Sequence, residues 1–526
     1  MSSQRIILAI DHGTSGVKAS LVTIHGRVLA SDSEKTTIRF LPGGGAVQDP
    51  GQWWDALLSV ARRLVGSGVA RPADIEAVCV SSTFSSTVAV DRDGNHLMDA
   101  VTWMDSRGAP YVKALMKGFP SFMGYGLPQV LKWLPRTAGA PTLSGKDDIA
   151  HALLIKHEYP EVYEKTFMFL PSKDYLNLRL SGQFAATYDS VHLFWLTDIR
   201  DIRNIHYDEE LIRMSGIDRS KLPPLVGSTD VIGTLRAEVA RDMGLPDGVK
   251  VVAGSPDHQC ACIGSGAVRD FEGHLYIGTS SWVQCVIPFK KTDVIHSIAS
   301  FPTAIPGRYQ SVNEQDIAGG ALDFLAGLMG RCCEIAAGPV HHEGVSYDAL
   351  NEAASRVPAG SHGLIVTPWL NGERTPVDDT TVRAGIHNLS TTTTFDHIVR
   401  AFFEGVALNT RWSLKYVERF VGSRLDPITI VGGGARSALW CRIFADVLDR
   451  RILQPKDPMQ ANARGAAFIA SVGLGEIDFA DIPALMEFEG AFDPDPANRE
   501  VYDRLFREFV GIYRNNRAMY QRLNRR

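Results

Sequence analysis

Short apolar runs alternate along the chain with segments that have one apolar face. In the first half, these patterns predict strands at residues 6–10, 17–22, 75–80 and 88–90, and a further apolar run begins at residue 28. After Asp49-Pro50, the apolar side chains of residues 53–58 predict a helix. Strands that alternate with helices in this way predict an α/β fold.

The second half repeats this arrangement. Apolar runs predict strands at residues 249–254, 274–277 and 428–431, and the stretch from Asn498 is helix-like. Loops of small residues follow three of the apolar strands, at residues 11–16, 278–281 and 432–436. Such loops at the carboxyl ends of strands are where α/β proteins bind phosphate groups. We place a domain boundary near Gly264-Ser265-Gly266, which divides the chain into residues 1–264 and residues 265–526.

Length, composition and charge narrow the class of protein. A chain of 526 residues is too long for one ordinary hydrophobic core and predicts two domains or three. The 54 basic and 59 acidic side chains give a net charge of −5, which disfavours nucleic acid or an anionic membrane as the main partner. No apolar run approaches the ~18 residues of a membrane span, and the amino terminus lacks a signal-peptide pattern. The seven cysteines are too sparse for a disulfide scaffold, so we expect buried thiols in a cytoplasmic protein.

The first small-residue loop has the residue types that bind phosphate. Gly13, Thr14 and Ser15 offer unhindered backbone N–H groups and hydroxyls. Asp11 offers a carboxylate for the shell of a Mg²⁺ ion, and Lys18 adds a cation on the returning strand. The alternative interpretation is a tight hairpin turn that binds no ligand.

Two further loops strengthen the phosphate interpretation. Gly278-Thr279-Ser280 and Gly432-Gly433-Gly434 each follow an apolar strand. The spacing of a P-loop is absent, and the glycine pattern of a dinucleotide-binding fold is broken at Ser437. We therefore expect phosphate binding by several separate loops.

Asp257 is the candidate catalytic carboxylate. It follows an apolar strand and a Ser-Pro pair, where rigid backbone would hold it and partly desolvate it, as suits a general base. The alternative is a helix N-cap. Trp103-x-Asp105-x-Arg107 would place three side chains on one face of an extended segment, suited to a polyhydroxyl ligand, or would be a core tryptophan beside a surface ion pair. His258, His341 and His342 lack the spacing of metal ligands.

Taken together, these motifs resemble the FGGY carbohydrate kinase family, and among its members most of all the xylulokinases. The resemblance covers nearly the whole chain. In chain order the matching segments are Ile10-Asp11-His12-Gly13-Thr14, Gln48-Asp49-Pro50, Trp53-Trp54, Trp103-x-Asp105-x-Arg107, Lys173-Asp174-Tyr175-Leu176, Ser255-Pro256-Asp257-His258-Gln259, Gly278-Thr279-Ser280, Leu370-Asn371-Gly372-Glu373-Arg374-Thr375-Pro376, Glu404-Gly405-Val406-Ala407, Gly432-Gly433-Gly434-Ala435-Arg436-Ser437 and Arg464-Gly465-Ala466-Ala467.

The resemblance implies two ribonuclease-H-like domains of the actin and hexokinase type around a central cleft that binds ATP, Mg²⁺ and a sugar. It implies that Asp257 is the catalytic base and that Asp11 and Asp257 lie near the metal. It implies that the phosphate-binding residues are Gly13, Thr14, Ser15, Lys18, Gly278, Thr279 and Ser280. The implied adenosine loop is Gly433, Gly434, Ala435 and Arg436. The implied sugar contacts are Phe84, Ser85, Trp103, Asp105, Arg107, Asp257 and His258, and a homodimer is a family-level expectation.

The sequence departs from the family where the sugar is selected. Xylulokinases typically carry Gly-Gln-Met-His-Gly where this chain has Ser82-Thr83-Phe84-Ser85-Ser86, and the Arg-Glu pair of glycerol kinases is also absent. We expect a kinase for a ketose, with D-xylulose ahead of ribulose, glycerol and gluconate. An ATPase of the actin or chaperone kind and a non-catalytic sugar sensor are the alternatives, and the intact Asp257 argues against the sensor.

Overall fold

The computed structural model describes residues 5–337 and 345–524, apart from the side chains of residues 332–337. His341 and His342, and the side chains of Cys332 and Cys333, lie outside the described part. The helices are α1 (Pro50–Val65), α2 (Ala109–Leu115), α3 (Leu127–Thr137), α4 (Asp148–Glu158), α5 (Pro160–Lys165), α6 (Ser172–Ser181), α7 (Glu209–Ser215), α8 (Ala237–Met243), α9 (Asp257–Gly264), α10 (Gly319–Ala337), α11 (Tyr347–Ser355), α12 (Phe395–Val421), α13 (Ala438–Leu448), α14 (Ala461–Gly473), α15 (Ile482–Leu485) and α16 (Arg499–Asn524).

The strands divide between the two halves of the chain. Those of the first half are β1 (Ile6–Gly13), β2 (Gly16–Thr23), β3 (Val28–Lys35), β4 (Arg39–Leu41), β5 (Gly45–Gln48), β6 (Ile75–Ser82), β7 (Thr87–Val90), β8 (Ala100–Val101), β9 (Ser121–Phe122), β10 (Tyr125–Gly126), β11 (Met168–Pro171), β12 (Ala186–Thr187), β13 (Thr197–Asp198), β14 (His206–Tyr207), β15 (Leu225–Val226), β16 (Val231–Thr234) and β17 (Lys250–Pro256). Those of the second half are β18 (Gly273–Ile277), β19 (Ser281–Gln284), β20 (Val286–Ile287), β21 (Thr292–Asp293), β22 (Ile298–Pro302), β23 (Tyr309–Val312), β24 (Ile365–Thr367), β25 (Gly385–His387), β26 (Ile428–Val431), β27 (Ile452–Pro455) and β28 (Phe488–Phe492).

The main sheet of the first half has the order β16-β17-β6-β1-β2-β3. Its three central strands β17, β6 and β1 run parallel, so their carboxyl ends meet at one edge. Because successive side chains of a strand point to opposite faces, Leu8 packs into the core beneath α1, whereas Ile7 and Ala9 pack into a second core with α14. A sheet covered on both faces explains why β1 is a continuous apolar run.

The main sheet of the second half has the order β19-β18-β26-β27-β28. Strands β18, β26 and β27 are parallel, and the antiparallel strands β19 and β28 form the edges. Helices α12 and α13 share one large apolar core with this sheet. The parallel strands again bring their carboxyl ends to one edge.

The two halves are joined by a close helix pair. On α14, a Cβ atom added to Gly465 would lie 1.9 Å from the carbonyl oxygen of Cys260 on α9. A Cβ added to Gly264 on α9 would lie equally close, 1.9 Å from the carbonyl oxygen of Ala461. The glycines therefore let two helix backbones touch. Helix α14 comes from the second half of the chain and covers one face of the first sheet, so residues of both halves share this core.

The predicted elements are confirmed, with one change of extent. The predicted strands, the helix after Asp49 and the C-terminal helix are all present. The loop predicted at residues 11–16 is shorter, because β1 continues to Gly13 and β2 resumes at Gly16, which leaves a turn of two residues. Five cysteines are buried and free, as expected for buried thiols, namely Cys79, Cys260, Cys262, Cys285 and Cys441. Among the described helices, none combines the length and apolar character needed to cross a membrane.

Candidate active site

Three parallel strands bring the two candidate carboxylates to one sheet edge. Ser81, near the end of β6, pairs with Asp11 of β1 on one side and with Ser255 of β17 on the other. Asp257 follows two residues after Ser255, as the first residue of α9. The register therefore places Asp11 and Asp257 on strands that flank β6, at the same edge.

Asp257 is half-buried, and its surroundings favour its neutral form. Burial raises the pKa of its carboxyl group to about 8, with further contributions from the negative charges of Asp11 and Glu314. One carboxylate oxygen accepts a hydrogen bond of 2.8 Å from the backbone N–H of His258, so the group also satisfies a donor at the start of the helix. The N-cap position itself is Pro256. In the unliganded protein, a pKa of about 8 favours the protonated form of Asp257 at neutral pH. A cation beside the carboxyl group would favour release of that proton.

Asp11 is held by both halves of the chain. It is buried, which raises its pKa, and the opposing charge of Lys18 counters this because the two residues face each other across the β1–β2 ladder. Asn462, in the first turn of α14, donates a hydrogen bond of 3.2 Å to Oδ1 of Asp11. The amide oxygen of Asn462 is buried and has no partner. Sequence reasoning missed this residue because a single asparagine in an Ala-rich stretch carries no motif.

The first phosphate loop touches one of the predicted sugar contacts. The indole N–H of Trp103 donates a hydrogen bond of 3.1 Å to the hydroxyl of Thr14. The amide of Gln48 donates to the backbone carbonyl of Thr14 at 3.0 Å. Ser15 and Lys18 have exposed side chains, and Gly13 is half-buried. These contacts fix the turn and bring Trp103 next to Thr14.

The structure excludes Asp105 as a sugar contact. Its side chain is fully buried, one oxygen accepts from the backbone N–H of Ala46 at 2.9 Å, and both oxygens contact the guanidinium of Arg107. No surface is left for a ligand, and the ion pair of the alternative interpretation is present but has a buried carboxylate, not a surface one. Arg107 is bound by Asp105 and donates to the hydroxyl of Tyr159 at 3.3 Å, which leaves it a partly exposed edge.

An aromatic wall continues from the candidate base. The imidazole of His258 stacks on Trp282 with 4.0 Å between ring centroids, and Trp282 stacks on Tyr276 at 4.1 Å. Phe84 lies with its ring 6.3 Å from that of His258 and stacks on Phe301 at 6.1 Å. Trp282 is stacked on both His258 and Tyr276 and is buried, so it supports the wall, while the half-buried rings of Phe84 and His258 are the ones suited to contact the C–H faces of a sugar. Trp282 was missed because it follows the Gly-Thr-Ser loop without a recognisable pattern.

His258 is a neutral hydrogen-bonding group in this wall. Burial lowers its pKa to about 3. The amide N–H of Gln284 donates to Nδ1 of His258 at 2.7 Å, so the proton of the neutral ring lies on Nε2. Ser85 adopts a left-handed conformation with φ of 56°, and its hydroxyl donates to the backbone carbonyl of Lys146 at 2.8 Å. His258 and Phe84 are therefore brought together, whereas the Ser85 hydroxyl is already engaged.

The second-half loops lie at the carboxyl ends of β18 and β26. Gly278 packs against the start of α10, where its carbonyl accepts from the N–H of Gly319 at 2.8 Å. The side chain of Thr279 is exposed, and Ser280 is half-buried. Among the described residues, none hydrogen-bonds the Thr279 hydroxyl, so this hydroxyl is free to bind a ligand.

The glycine-triple loop packs directly against the strand before the second phosphate loop. A Cβ on Gly434 would lie 2.3 Å from the side chain of Ile277, whereas a Cβ on Gly433 would meet open space. Ala435 is buried and its carbonyl accepts from Gln454 at 2.7 Å, so only its backbone can serve the site, while Arg436 is exposed. The two loops thus form one continuous edge.

The donor set fits a nucleotide held with a magnesium ion. Magnesium is usually bound by one or two carboxylates together with phosphates and water, and Asp11 and Asp257 supply that number. Among the described residues no cluster of three or more histidines, cysteines or acids could hold a metal without such help. The unpartnered amide oxygen of Asn462 and the open space at Gly433 are further sites for a ligand.

A buried carboxylate pair at the sheet edge of one half, with small-residue loops at the sheet edge of the other, defines a phosphotransferase fold with two ribonuclease-H-like halves. The chain belongs to the FGGY family of carbohydrate kinases: the N-terminal domain of that family matches residues 6–130 and 146–264, and its C-terminal domain matches residues 274–474.

Relatives with known names lie within this family. The chain is 26% identical to the xylulose kinase of Bacillus subtilis strain 168 over 98% of each chain. It is 24% identical to the gluconokinase of the same organism over 90% of this chain and 89% of that protein. The solved structure of xylulose kinase from Rhodospirillum rubrum superposes with a TM-score of 0.82 at 28% identity, and covers 98% of this chain and 100% of that one.

Proposed function

We propose that this carbohydrate kinase transfers the γ-phosphoryl group of ATP to a hydroxyl of a ketose, with D-xylulose as the first candidate. The observation that carries the proposal is the position of Asp257, a half-buried carboxyl group between the metal-side Asp11 and the aromatic wall of Phe84, His258 and Trp282. The xylulose kinases among the relatives support the choice of sugar. Residues 1–264 would supply the base and sugar site, and residues 265–526 the adenosine site.

In this proposal, Asp257 accepts the proton of the attacking hydroxyl. A base must be ionised, and the pKa of about 8 shows that the carboxyl group needs a nearby positive charge before it can act at neutral pH. Bound ATP with Mg²⁺ supplies the phosphoryl group and that positive charge. Asp11 would hold the metal, and Asn462 orients Asp11 by its hydrogen bond. In this proposal, the positive charge of the metal ion lowers the pKa of Asp257 and favours its ionised form when the site is loaded.

The remaining residues bind and orient. Thr14 and Thr279 present hydroxyls from the two phosphate loops, and Gly433 leaves room for adenosine. His258 offers an Nε2–H donor to a sugar oxygen, because Gln284 occupies Nδ1. The rings of Phe84 and Trp282 exclude water from the sugar side, which matters because water competes with the sugar as acceptor.

A sugar acid is the second candidate, and one observation favours it. Lys146 has an exposed side chain, and its backbone is held by Ser85 next to Phe84. A cationic side chain on the segment that contacts Ser85 suits a carboxylate such as that of gluconate. Lys146→Ala should weaken the binding of a sugar acid and leave a ketose unaffected.

The test is ADP release with Mg-ATP against D-xylulose, D-ribulose, glycerol and gluconate, with Asp257→Asn as the inactive control. Our proposal predicts a sugar-dependent rate that is highest with D-xylulose. A highest rate with gluconate would favour the second candidate. ATP hydrolysis that does not depend on any sugar would contradict both candidates and favour an ATPase.

A further inference from the structure

The Lys173-Asp174-Tyr175-Leu176 motif has no place in the site described above. It lies at the start of α6, behind the first sheet, and Lys173 is fully buried with 0% of its surface exposed. A buried lysine is costly unless its charge is paired and its N–H groups are all used. The ammonium group of Lys173 must therefore have binding partners within the protein.

The ammonium group of Lys173 binds the backbone at a bulge in β17. Val252 pairs with Cys79 and Ser255 with Ser81, so Ala253 and Gly254 together face the single residue Val80 of β6. Gly254 adopts a left-handed φ of 72°, and a Cβ there would lie 2.1 Å from the carbonyl oxygen of Val80. The bulge ends two residues before Pro256, so it sets the direction in which β17 delivers Asp257.

The bulge turns the carbonyl of Ala253 away from the strand ladder and towards α6. There it accepts a hydrogen bond of 2.9 Å from Nζ of Lys173 and one of 2.7 Å from Nδ2 of Asn177. Lys173 and Asn177 are four residues apart, so they lie on the same face of the helix. The ammonium group also contacts the buried carboxylate of Asp174, which balances its charge.

A second contact anchors the same segment. The hydroxyl of Ser255, two residues before Asp257, donates to Oδ2 of the fully buried Asp189, as does the hydroxyl of Ser228 at 2.9 Å. The carbonyl of Ser228 also accepts from the N–H of Gly254 at 2.9 Å. The Ala253 carbonyl, the Gly254 N–H and the Ser255 hydroxyl are therefore all bound by groups of the protein.

We infer that Lys173 and Asn177 are positioning residues for the catalytic base: they fix the bulge at Ala253-Gly254 and thereby the place of Asp257. The inference rests on the proposed role of Asp257. Neither residue reaches the cleft, so each acts only through the backbone of β17. A shift of about 1 Å in a reacting group can cost about 10²-fold in rate, so a backbone anchor close to the base is enough to control turnover.

Asn177→Leu is the decisive variant. The other polar atom of this side chain, Oδ1, is buried and has no partner, so leucine removes only the bond to Ala253 and relieves an unsatisfied oxygen. We expect a melting temperature close to that of the unaltered protein, a phosphoryl-transfer rate about tenfold lower by rapid quench, and an unchanged KM for the sugar. The pair Lys173→Met with Asp174→Asn removes both charges together and should lower the rate about 10²-fold.

Tyr175→Phe is the matched control. This change removes the hydroxyl of Tyr175, which lies on the same helix as Asn177. That hydroxyl is hydrogen-bonded to Arg179 at 2.9 Å and to His96 at 3.2 Å, away from β17. Its transfer rate should not change. An unchanged rate in Asn177→Leu, a change confined to KM, or an equal loss in Tyr175→Phe would overturn the inference.

A crystallographic comparison separates this inference from the proposed function. If the unaltered protein phosphorylates none of the sugars, the proposed function fails, and the crystal structures of the unaltered protein and Asn177→Leu still test the bulge. We expect the Asp257 carboxylate to be displaced in the variant by about 0.5 Å, in keeping with a tenfold rather than a 10²-fold loss of rate. Coincident positions of Ala253 and Asp257 in the two structures would overturn the inference.

Discussion

Replacing Asp257, the proposed catalytic base, should stabilise the unliganded protein at high pH. The native state raises the pKa of Asp257 from 3.8 to about 8, so folded protein holds a proton there that the unfolded chain releases. Folding stability from this group is therefore fully present below pH 4 and is lost as the pH rises towards 8. The asparagine of Asp257→Asn has the shape of the protonated acid and carries no charge at any pH. The folding stability of this variant therefore does not fall with pH in this way.

The size of the effect follows from the shift. Each pKa unit corresponds to about 1.4 kcal/mol, which sets a ceiling of about 6 kcal/mol above pH 8. Asp257 is only half-buried, and water in the cleft screens its charge, so we expect about 2 kcal/mol. With an unfolding entropy of about 2.1 cal/mol/K per residue, this free energy corresponds to a rise in melting temperature of about 2 °C if the whole chain unfolds as a unit. The rise is about 4 °C if one half unfolds as a unit.

The assay is thermal unfolding of the unaltered protein and Asp257→Asn between pH 5 and pH 8.5, without nucleotide. The advantage of the variant should grow steadily with pH. Asp247→Asn, at an exposed carboxylate in the loop before β17, is the control and should show no such trend. Mg-ADP at pH 8.5 should stabilise the unaltered protein more than the variant, because the cation favours an ionised Asp257. An advantage that is equal at pH 5 and pH 8.5 would refute the reasoning.

Three further predictions concern the base, the sugar wall and the helix pair. Asp257→Ala should lower phosphoryl transfer by about 10²–10⁴-fold while sugar binding by calorimetry persists, and near-normal turnover would contradict the base assignment. Phe84→Met with Ser85→His should change the preference among sugars more than the KM for ATP, because Phe84 lies in the wall beside His258; a change in ATP alone would place this loop elsewhere. Gly465→Ala should destabilise the protein by about 1–3 kcal/mol, because its Cβ would lie 1.9 Å from a carbonyl, whereas Gly511→Ala on α16 meets only a carboxylate oxygen at 4.0 Å and should not destabilise it.

The sequence predicts those parts of the site that depend on local pattern. Strands of continuous apolar residues identify the buried parallel strands, and the residue that follows such a strand is at the sheet edge, which is why Asp257 and the Gly278 loop could be found. The prediction that Asp105 contacts the sugar was wrong. The alternation of side chains along an extended segment shows which residues lie on the same face. It does not show whether that face points towards the cleft or towards Ala46 and Arg107.

Residues that act across long sequence separations could not be predicted. Asn462 reaches Asp11 from the first turn of a helix 451 positions away in the chain, and Glu314 raises the pKa of Asp257 from the end of β23. Neither has a local pattern that distinguishes it from a helix-surface amide or a loop acid. Their roles follow from how α14 and β23 pack, which only the three-dimensional arrangement determines.

The helix pair ties the charge of the site to the arrangement of the halves. Asp257 begins α9, which packs against α14 through Gly264 and Gly465, and the first turn of α14 contains Asn462, which donates a hydrogen bond to Asp11. Asp11 in turn raises the pKa of Asp257 through its negative charge. The two carboxylates and the two touching helices are therefore linked by one continuous set of contacts, which joins residues from both halves of the chain.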